Sequence, residues 1–251
     1  MDAYGDTNDL SKEKLPVLFV HGGGFSTGSR RDQNNQIFCQ AIAAIGFHVF
    51  SMDYRLHQIG TGFHCDVSTE DKRTSILWAA EDIGRALKHL SSAFPEGVIV
   101  CGSSAGAEAA LHAAFHLQNP LIRGVISIAG AVEPLAEYID VPVLAFHGTC
   151  DALVPFGMAI HHFCPENSPG SLLLAGAGAL AKCIPRCQLY AYQNSGHELT
   201  AGILTDPMSP KLIKDFMSHF NHPDDGFHSF EQLIETTNDN CHLPPVNWPC
   251  P

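Results

Sequence analysis

Residues 98–101 form a continuous apolar run and residues 105–117 are rich in alanine; between them stands Gly-Ser-Ser-Ala-Gly at 102–106. The run reads as a buried strand, and the alanines make a good helix that can pack close to a sheet. A G-x-S-x-G turn in that strand–turn–helix setting is a sharp elbow. Its flanking positions have no room for side chains, and its central serine is held in a strained conformation with the hydroxyl above the sheet. The helix N-terminus beneath it favours negative charge nearby. Ser104 is therefore the candidate nucleophile. Ser103 is the rival hydroxyl but is not centred between the glycines, and a plain Gly/Ser turn is the alternative without chemistry.

Such an elbow needs a mainly parallel sheet around it, and the rest of the chain supplies the pattern. Apolar runs recur at 15–20, 47–52, 97–102, 121–128, 141–146 and 188–192. Most are continuous rather than alternating, as strands covered on both faces are. Helical stripes lie between them: Ile37/Phe38, Ala41/Ile42 and Ile45; Ile76, Ala80, Ile83, Leu87 and Leu90; Leu212/Ile213, Phe216/Met217 and Phe220. Alternating strand and helix predict an α/β fold, a mainly parallel sheet with helices on both faces. Three stretches fall outside the rhythm. Residues 53–73 read as a long connection, 165–178 are rich in Pro, Gly and Ser, and 222–251 are polar and Pro-rich. The expected organisation is one catalytic domain over 1–222 and a Pro/Cys-rich tail over 223–251 that wraps the surface or frays.

A serine nucleophile generates an oxyanion, which needs preorganised N–H donors. The run 15–20 ends in His21-Gly22-Gly23-Gly24-Phe25, and glycines let a backbone approach a ligand with its amides free. This loop reads as one half of an oxyanion hole, with the Ala105 amide as the other. A phosphate-binding glycine loop is the weaker alternative, because GxGxxG spacing and a following lysine are both missing. The serine also needs a base, and the base an orienting carboxylate, in the chain order Ser, acid, His. Asp151 lies just past the run 141–146, and His197 follows the run 188–192 in Asn194-Ser195-Gly196-His197. Asp140 and Glu198 are rivals for the acid, and His219 for the base. Asp140 precedes its strand, at the wrong end of the sheet, and His219 lies in a helical stripe.

Lys and Arg number 14 and Asp and Glu 26, a net charge of −12, which repels nucleic acid and anionic membranes. No apolar run is long enough to span a bilayer. Fifteen histidines invite a metal reading. Glu108, His112 and His116 recur at helical spacing, and His161, His162 and Cys164 cluster, but neither spacing matches a zinc site. Both groups are expected on helix surfaces, with no metal and no cofactor. The nine cysteines suggest an oxidising compartment, secreted or periplasmic, with one or two local disulfides; Cys183 and Cys187 are four apart, and Cys241 and Cys250 flank the tail. Cys39 and Cys101 suit buried free thiols. The N-terminus as given carries no signal peptide.

Taken in order, HGGGF, Asp53-Tyr54-Arg55-Leu56, GSSAG, His147-Gly-Thr-Cys-Asp-Ala-Leu-Val-Pro-Phe156 and Ser195-Gly-His197 resemble the α/β-hydrolase superfamily. Within it the chain is similar to small carboxylesterases of the bacterial feruloyl-esterase and acetyl-esterase type, over roughly residues 2–220. The resemblance implies Ser104, Asp151 and His197 as nucleophile, acid and base, and oxyanion amides from Gly23, Gly24 and Ala105. Esterases of the hormone-sensitive-lipase type carry G-D-S-A-G-G and a D-P-x-x-D acid segment; Ser103 and the H-G-T-x-D segment depart from them. Residues 1–4 look like the end of a strand preceding the HGGG strand.

These readings imply a serine carboxylic-ester hydrolase acting on a small-molecule or polysaccharide-linked ester. A peptidase or amidase on the same residues, and a non-catalytic binding protein on a hydrolase fold, are the alternatives. About 12 residues separate the runs ending at Ile128 and beginning at Val141, so no lid domain is inserted there and short or accessible acyl groups are expected. The connection 53–73 could still cover the acyl site through Leu56, Ile59 and Phe63.

Overall fold

A computed structural model describes residues 1–5, 15–221, 227–236 and 241. In chain order the strands and helices are β1 (Asp2–Tyr4), β2 (Val17–Val20), α1 (Gln33–Ala44), β3 (Val49–Met52), α2 (Thr69–Leu90), β4 (Val98–Ser103), α3 (Ala105–Phe115), β5 (Ile122–Ile128), β6 (Ala131–Val132), β7 (Val143–Gly148), β8 (Met158–Ile160), β9 (Leu173–Gly176), α4 (Ala177–Cys183), β10 (Cys187–Tyr192), α5 (Leu199–Thr205), α6 (Ser209–Asn221) and β11 (Phe230–Ile234). The main sheet has the order β1-β3-β2-β4-β5-β7-β10-β11. It is parallel except for β1, which runs antiparallel to β3.

The continuous apolar runs are divided between two cores. Leu18, Val20, Val98, Val100, Val143 and Ala145 face the core built with α2 and α3. Val17, Phe19, Ile99, Cys101, Leu144 and Phe146 face the core built with α1, α5 and α6. Alternate side chains of a strand point to opposite faces, so each run must be apolar throughout to serve both. The alternation of strand and helix thus produces the α/β architecture expected, with no inserted lid domain: only the short β6 and a stretch without regular structure lie between β5 and β7.

Three expectations about the irregular stretches change. Helix α2 begins earlier than its apolar stripe, because the Ser68 hydroxyl caps it by accepting from the Asp71 amide at 3.0 Å, so the connection before it ends at residue 68. The Gly- and Ser-rich stretch near 170 contains β9, the centre of a second sheet ordered β6-β9-β8. Residues 230–234, expected in the tail, pair in parallel with β10 and form the last strand of the main sheet. Most of that strand's side chains are exposed; its backbone ladder holds it, which hydropathy does not register.

The two disulfides with both partners among the described residues are long-range rather than local. Cys65 pairs with Cys164 across 99 residues and Cys150 with Cys241 across 91. Cys183 is in a further disulfide, whereas Cys187 is a buried free thiol, as are Cys39 and Cys101. The beginning of β10 turns Cys187 into the core, away from any local pairing. Cys250 lies outside the described residues.

Helix α3 crosses the sheet so closely that a Cβ on Gly106 would overlap the carbonyls of Val20 and His21, and one on Gly102 would overlap Gly106 and Ala107. We expect Gly106→Ala to destabilise the fold by about 2 kcal/mol or more, since the overlap is with backbone that cannot swing aside. Urea unfolding monitored by circular dichroism checks this; a loss below about 0.5 kcal/mol would contradict the packing described.

Candidate active site

Ser104 sits between β4 and α3 with φ 52° and ψ −121°, a conformation that a residue with a Cβ adopts only under constraint. The constraint is visible on both sides of it. Its amide donates to the Ile128 carbonyl at 2.8 Å, and its carbonyl accepts from the amides of Ala107 and Glu108. The hydroxyl is thereby directed away from the sheet. It donates to His197 Nε2 at 2.8 Å, and His197 Nδ1 donates to Asp151 Oδ2 at 2.7 Å.

The loops that carry the other two residues are tied to each other. The Cys150 amide donates to the Ser195 carbonyl and the Thr149 amide to the Tyr192 carbonyl, both at 2.9 Å. Gly148 leaves room for this approach, since a Cβ there would overlap the Ser195 carbonyl. The other oxygen of Asp151, Oδ1, accepts from the Leu153 and Val154 amides at 2.9 Å. Burial alone would raise the Asp151 pKa. The imidazoles of His147 and His197 outweigh it and hold the carboxyl well below the usual range. His147 Nε2 donates to the Val154 carbonyl at 3.1 Å and lies 3.6 Å from Asp151, so it acts on the carboxylate at longer range than His197 does.

The HGGG run packs against the elbow: a Cβ on Gly22 would lie 3.2 Å from Ser104 Cβ. Gly23 and Gly24 have φ of +115° and +57°. The amides of Gly23, Gly24 and Ala105 donate to no protein acceptor among the described residues and border the same cleft as Ser104 and His197. The loop is held from behind. His21 stacks on Tyr54 at 4.5 Å, and Asp53 accepts from the Arg30 amide at 2.7 Å and pairs with the Arg30 guanidinium.

The rivals take no part in this relay. Asp140 pairs with Arg186 at 2.6 Å, Glu198 accepts from the Gly196 amide, and His219 lies 3.4 Å from Gln188. Ser103 is buried in the cleft wall. Of the two suspected metal clusters, Cys164 is taken by its disulfide, and His112 and His116 stack on each other at 4.6 Å. No metal-holding group of three or more ligands occurs among the described residues.

The expectation for Glu108 is corrected. It is fully buried rather than on a helix surface, as is His161, and the two face the cleft together. The helical spacing that it shares with His112 and His116 concealed this, because the face it occupies is covered by a segment remote in sequence. Phe63 also lines the cleft, as the connection 53–68 allowed; Ile59 is 69% exposed and does not.

The cleft has a volume of about 640 Å³. Burial pushes Glu108 up to about 8; Lys72 opposes that shift and Asp151 adds to it. Between the ordinary carboxyl value and about 8, the folded chain therefore keeps a proton that the unfolded chain has lost. Stability falls as pH rises through that window. We expect the stability of the wild type relative to Glu108→Gln to fall by on the order of 1–3 kcal/mol between pH 5 and pH 8. Paired urea titrations at the two pH values test this, and a flat or rising difference would be contrary to it.

A family model described as the alpha/beta hydrolase fold matches residues 17–149, which include the HGGG run and the elbow and stop short of Asp151 and His197. Gut esterase 1 of Caenorhabditis elegans is 34% identical over 102 residues, 38% of this chain; the chain spans only 17% of that protein's length. Among solved structures, Est1E from Butyrivibrio proteoclasticus with ferulic acid bound is 15% identical with a TM-score of 0.52, over 86% of this chain and 95% of that one. TT1662 from Thermus thermophilus is 17% identical with a TM-score of 0.56, over 88% and 92%. At these identities the likeness is one of fold.

Proposed function

Because this chain belongs to the α/β-hydrolase fold family, we propose that it is a serine carboxylic-ester hydrolase. The observation that carries the reading is the relay from Ser104 through His197 to buried Asp151, beside amides without protein partners among the described residues. In this reading His197 Nε2 removes the Ser104 proton as the hydroxyl oxygen attacks the ester carbonyl. The amides of Gly23, Gly24 and Ala105 hold the oxyanion. Asp151 keeps the imidazole in the tautomer that accepts at Nε2 and stabilises its positive form. The imidazolium then gives its proton to the departing alcohol. Water, deprotonated by His197, releases the acid from Ser104.

The cleft supports a substrate class. Phe63 closes one side of it, and no inserted domain extends it into a long groove, which supports short-acyl or aromatic esters, the alcohol being a small molecule or a polysaccharide. The ferulic acid bound by Est1E and the esterase name of the relative from Caenorhabditis elegans support the same direction. The Cys65–Cys164 and Cys150–Cys241 bridges support a secreted or periplasmic setting, since such bonds persist where the surroundings are oxidising.

Ser104→Ala should lower kcat on p-nitrophenyl butyrate by roughly 10³-fold or more with an unchanged fold, and activity on the matching anilide should be far lower than on the ester in the wild type. Across acetyl, butyryl, octanoyl and palmitoyl esters below their micelle thresholds, kcat/KM should stop rising by about eight carbons. Each further methylene that found a pocket would add about 0.8 kcal/mol. A Ser104→Ala enzyme retaining more than about a hundredth of the wild-type rate would remove Ser104 from this role, and a steady rise to palmitoyl would replace the short-acyl reading with a lipase-like one.

A further inference from the structure

The cleft has a second polar feature, one helical turn along α3 from the nucleophile. Glu108 follows Ser104 by four residues, a rise of about 6 Å, and is 2% exposed. Its carboxyl makes no hydrogen bond to a protein group among the described residues. Oε1 is buried without a partner, and the nearest basic atom is His161 Nε2 at 3.5 Å. His161 approaches from the turn after β8, is equally buried, and has an Nδ1 without a partner among the described residues. Both residues line the cleft. Behind them the buried Lys72 ammonium donates to the Gly170 carbonyl at 2.8 Å. The Phe63 ring packs on His161 at 5.0 Å and lies 5.5 Å from the Lys72 nitrogen. Buried polar atoms without partners are rare in folded proteins because they forfeit their bonds to water. Two of them, on neighbouring side chains in the wall of a cleft beside a nucleophile, need a reason.

We propose that Glu108 and His161 form a hydroxyl-binding subsite, so that the preferred substrates are esters carrying a neutral hydroxyl within two or three bonds of the ester group. The inference rests on the hydrolase reading and narrows its substrate class. Burial pushes Glu108 up to about 8, and it drives His161 well below its ordinary value with help from His162, Lys72 and His197. Near neutral pH the carboxyl and the imidazole thus each offer a donor and an acceptor. A hydroxyl also has one donor and spare acceptor capacity, so it can satisfy both. An anionic substituent would enter a chain of net charge −12 and give up its water to do so. An ammonium would meet Lys72. The short distance along α3 limits the hydroxyl to positions near the scissile bond. It can belong to the acyl part, as in a 2-hydroxy acid ester, or to the alcohol part, as in a glycol or sugar ester.

The full chain is assayed for kcat/KM on two near-isosteric pairs: methyl glycolate against methyl propionate, and 2-hydroxyethyl acetate against propyl acetate. Each ratio is divided by that for alkaline hydrolysis of the same pair, which cancels intrinsic reactivity. At least one corrected ratio should be about tenfold or more in the wild type. The pair that shows it identifies the acyl or the alcohol side. Glu108→Met should bring that ratio to about unity, while Glu108→Gln, which keeps a donor and an acceptor, should hold it within about threefold of the wild type. The wild-type ratios decide the matter even where a variant fails to fold. Corrected ratios below about tenfold for both pairs, with all four esters hydrolysed, would overturn the subsite and leave the hydrolase reading standing. A preference that survives Glu108→Met would overturn it as well. If none of the four esters is hydrolysed, the subsite is overturned, and hydrolysis of p-nitrophenyl butyrate decides whether the hydrolase reading stands.

Discussion

Helix α3 approaches the ends of β2 and β4 with backbone nearly against backbone, and the site depends on it. Gly106 lies against the Val20 and His21 carbonyls and Gly102 against Gly106 and Ala107, with no room for a Cβ at either position. That contact bends the chain at Ser104 into a left-handed conformation and lifts its hydroxyl from the sheet. It also presses the HGGG run against the elbow, which brings glycine amides and the Ala105 amide to one cleft. The two cores on either side of the sheet supply the rigidity that keeps the strained residue in place.

Electrostatics organises the rest of the site. Asp151 is fully buried yet held ionised by its neighbouring imidazoles and oriented by two backbone amides, so it can fix one tautomer of His197. Glu108, buried a short distance away without such donors, is pushed towards its neutral form. The two buried carboxyls therefore have opposite characters, because Asp151 accepts several hydrogen bonds and Glu108 accepts none from the side chains and amides of the described residues. This difference in solvation, rather than residue type, separates the proposed orienting group from the proposed recognition group.

Much of this was legible in the sequence where local pattern decides structure. The strand at 98–103, the elbow and the helix after it announce themselves through composition and spacing, and Asp151 and His197 stand where strands end. Features that depend on remote segments were not legible. Glu108 shares its helical spacing with His112 and His116, and its burial depends on remote segments, among them His161 arriving from beyond β8. The Cys65–Cys164 and Cys150–Cys241 pairings join segments about ninety or more residues apart. The edge strand Phe230–Ile234 is mostly exposed, so its place in the sheet is set mainly by backbone pairing with β10, with the Phe230 ring against Tyr190 as its side-chain contact. Phe63 enters the cleft while Ile59 faces solvent, a distinction that composition within one loop does not make.

The central claim is that the elbow makes Ser104 the reactive nucleophile. Treatment of the full chain with a fluorophosphonate, followed by intact mass and peptide mapping, tests it most directly. One phosphonyl group should be added, on Ser104, with loss of ester hydrolysis in proportion to labelling. Labelling confined to another residue, or full inactivation with Ser104 unmodified, would contradict the account.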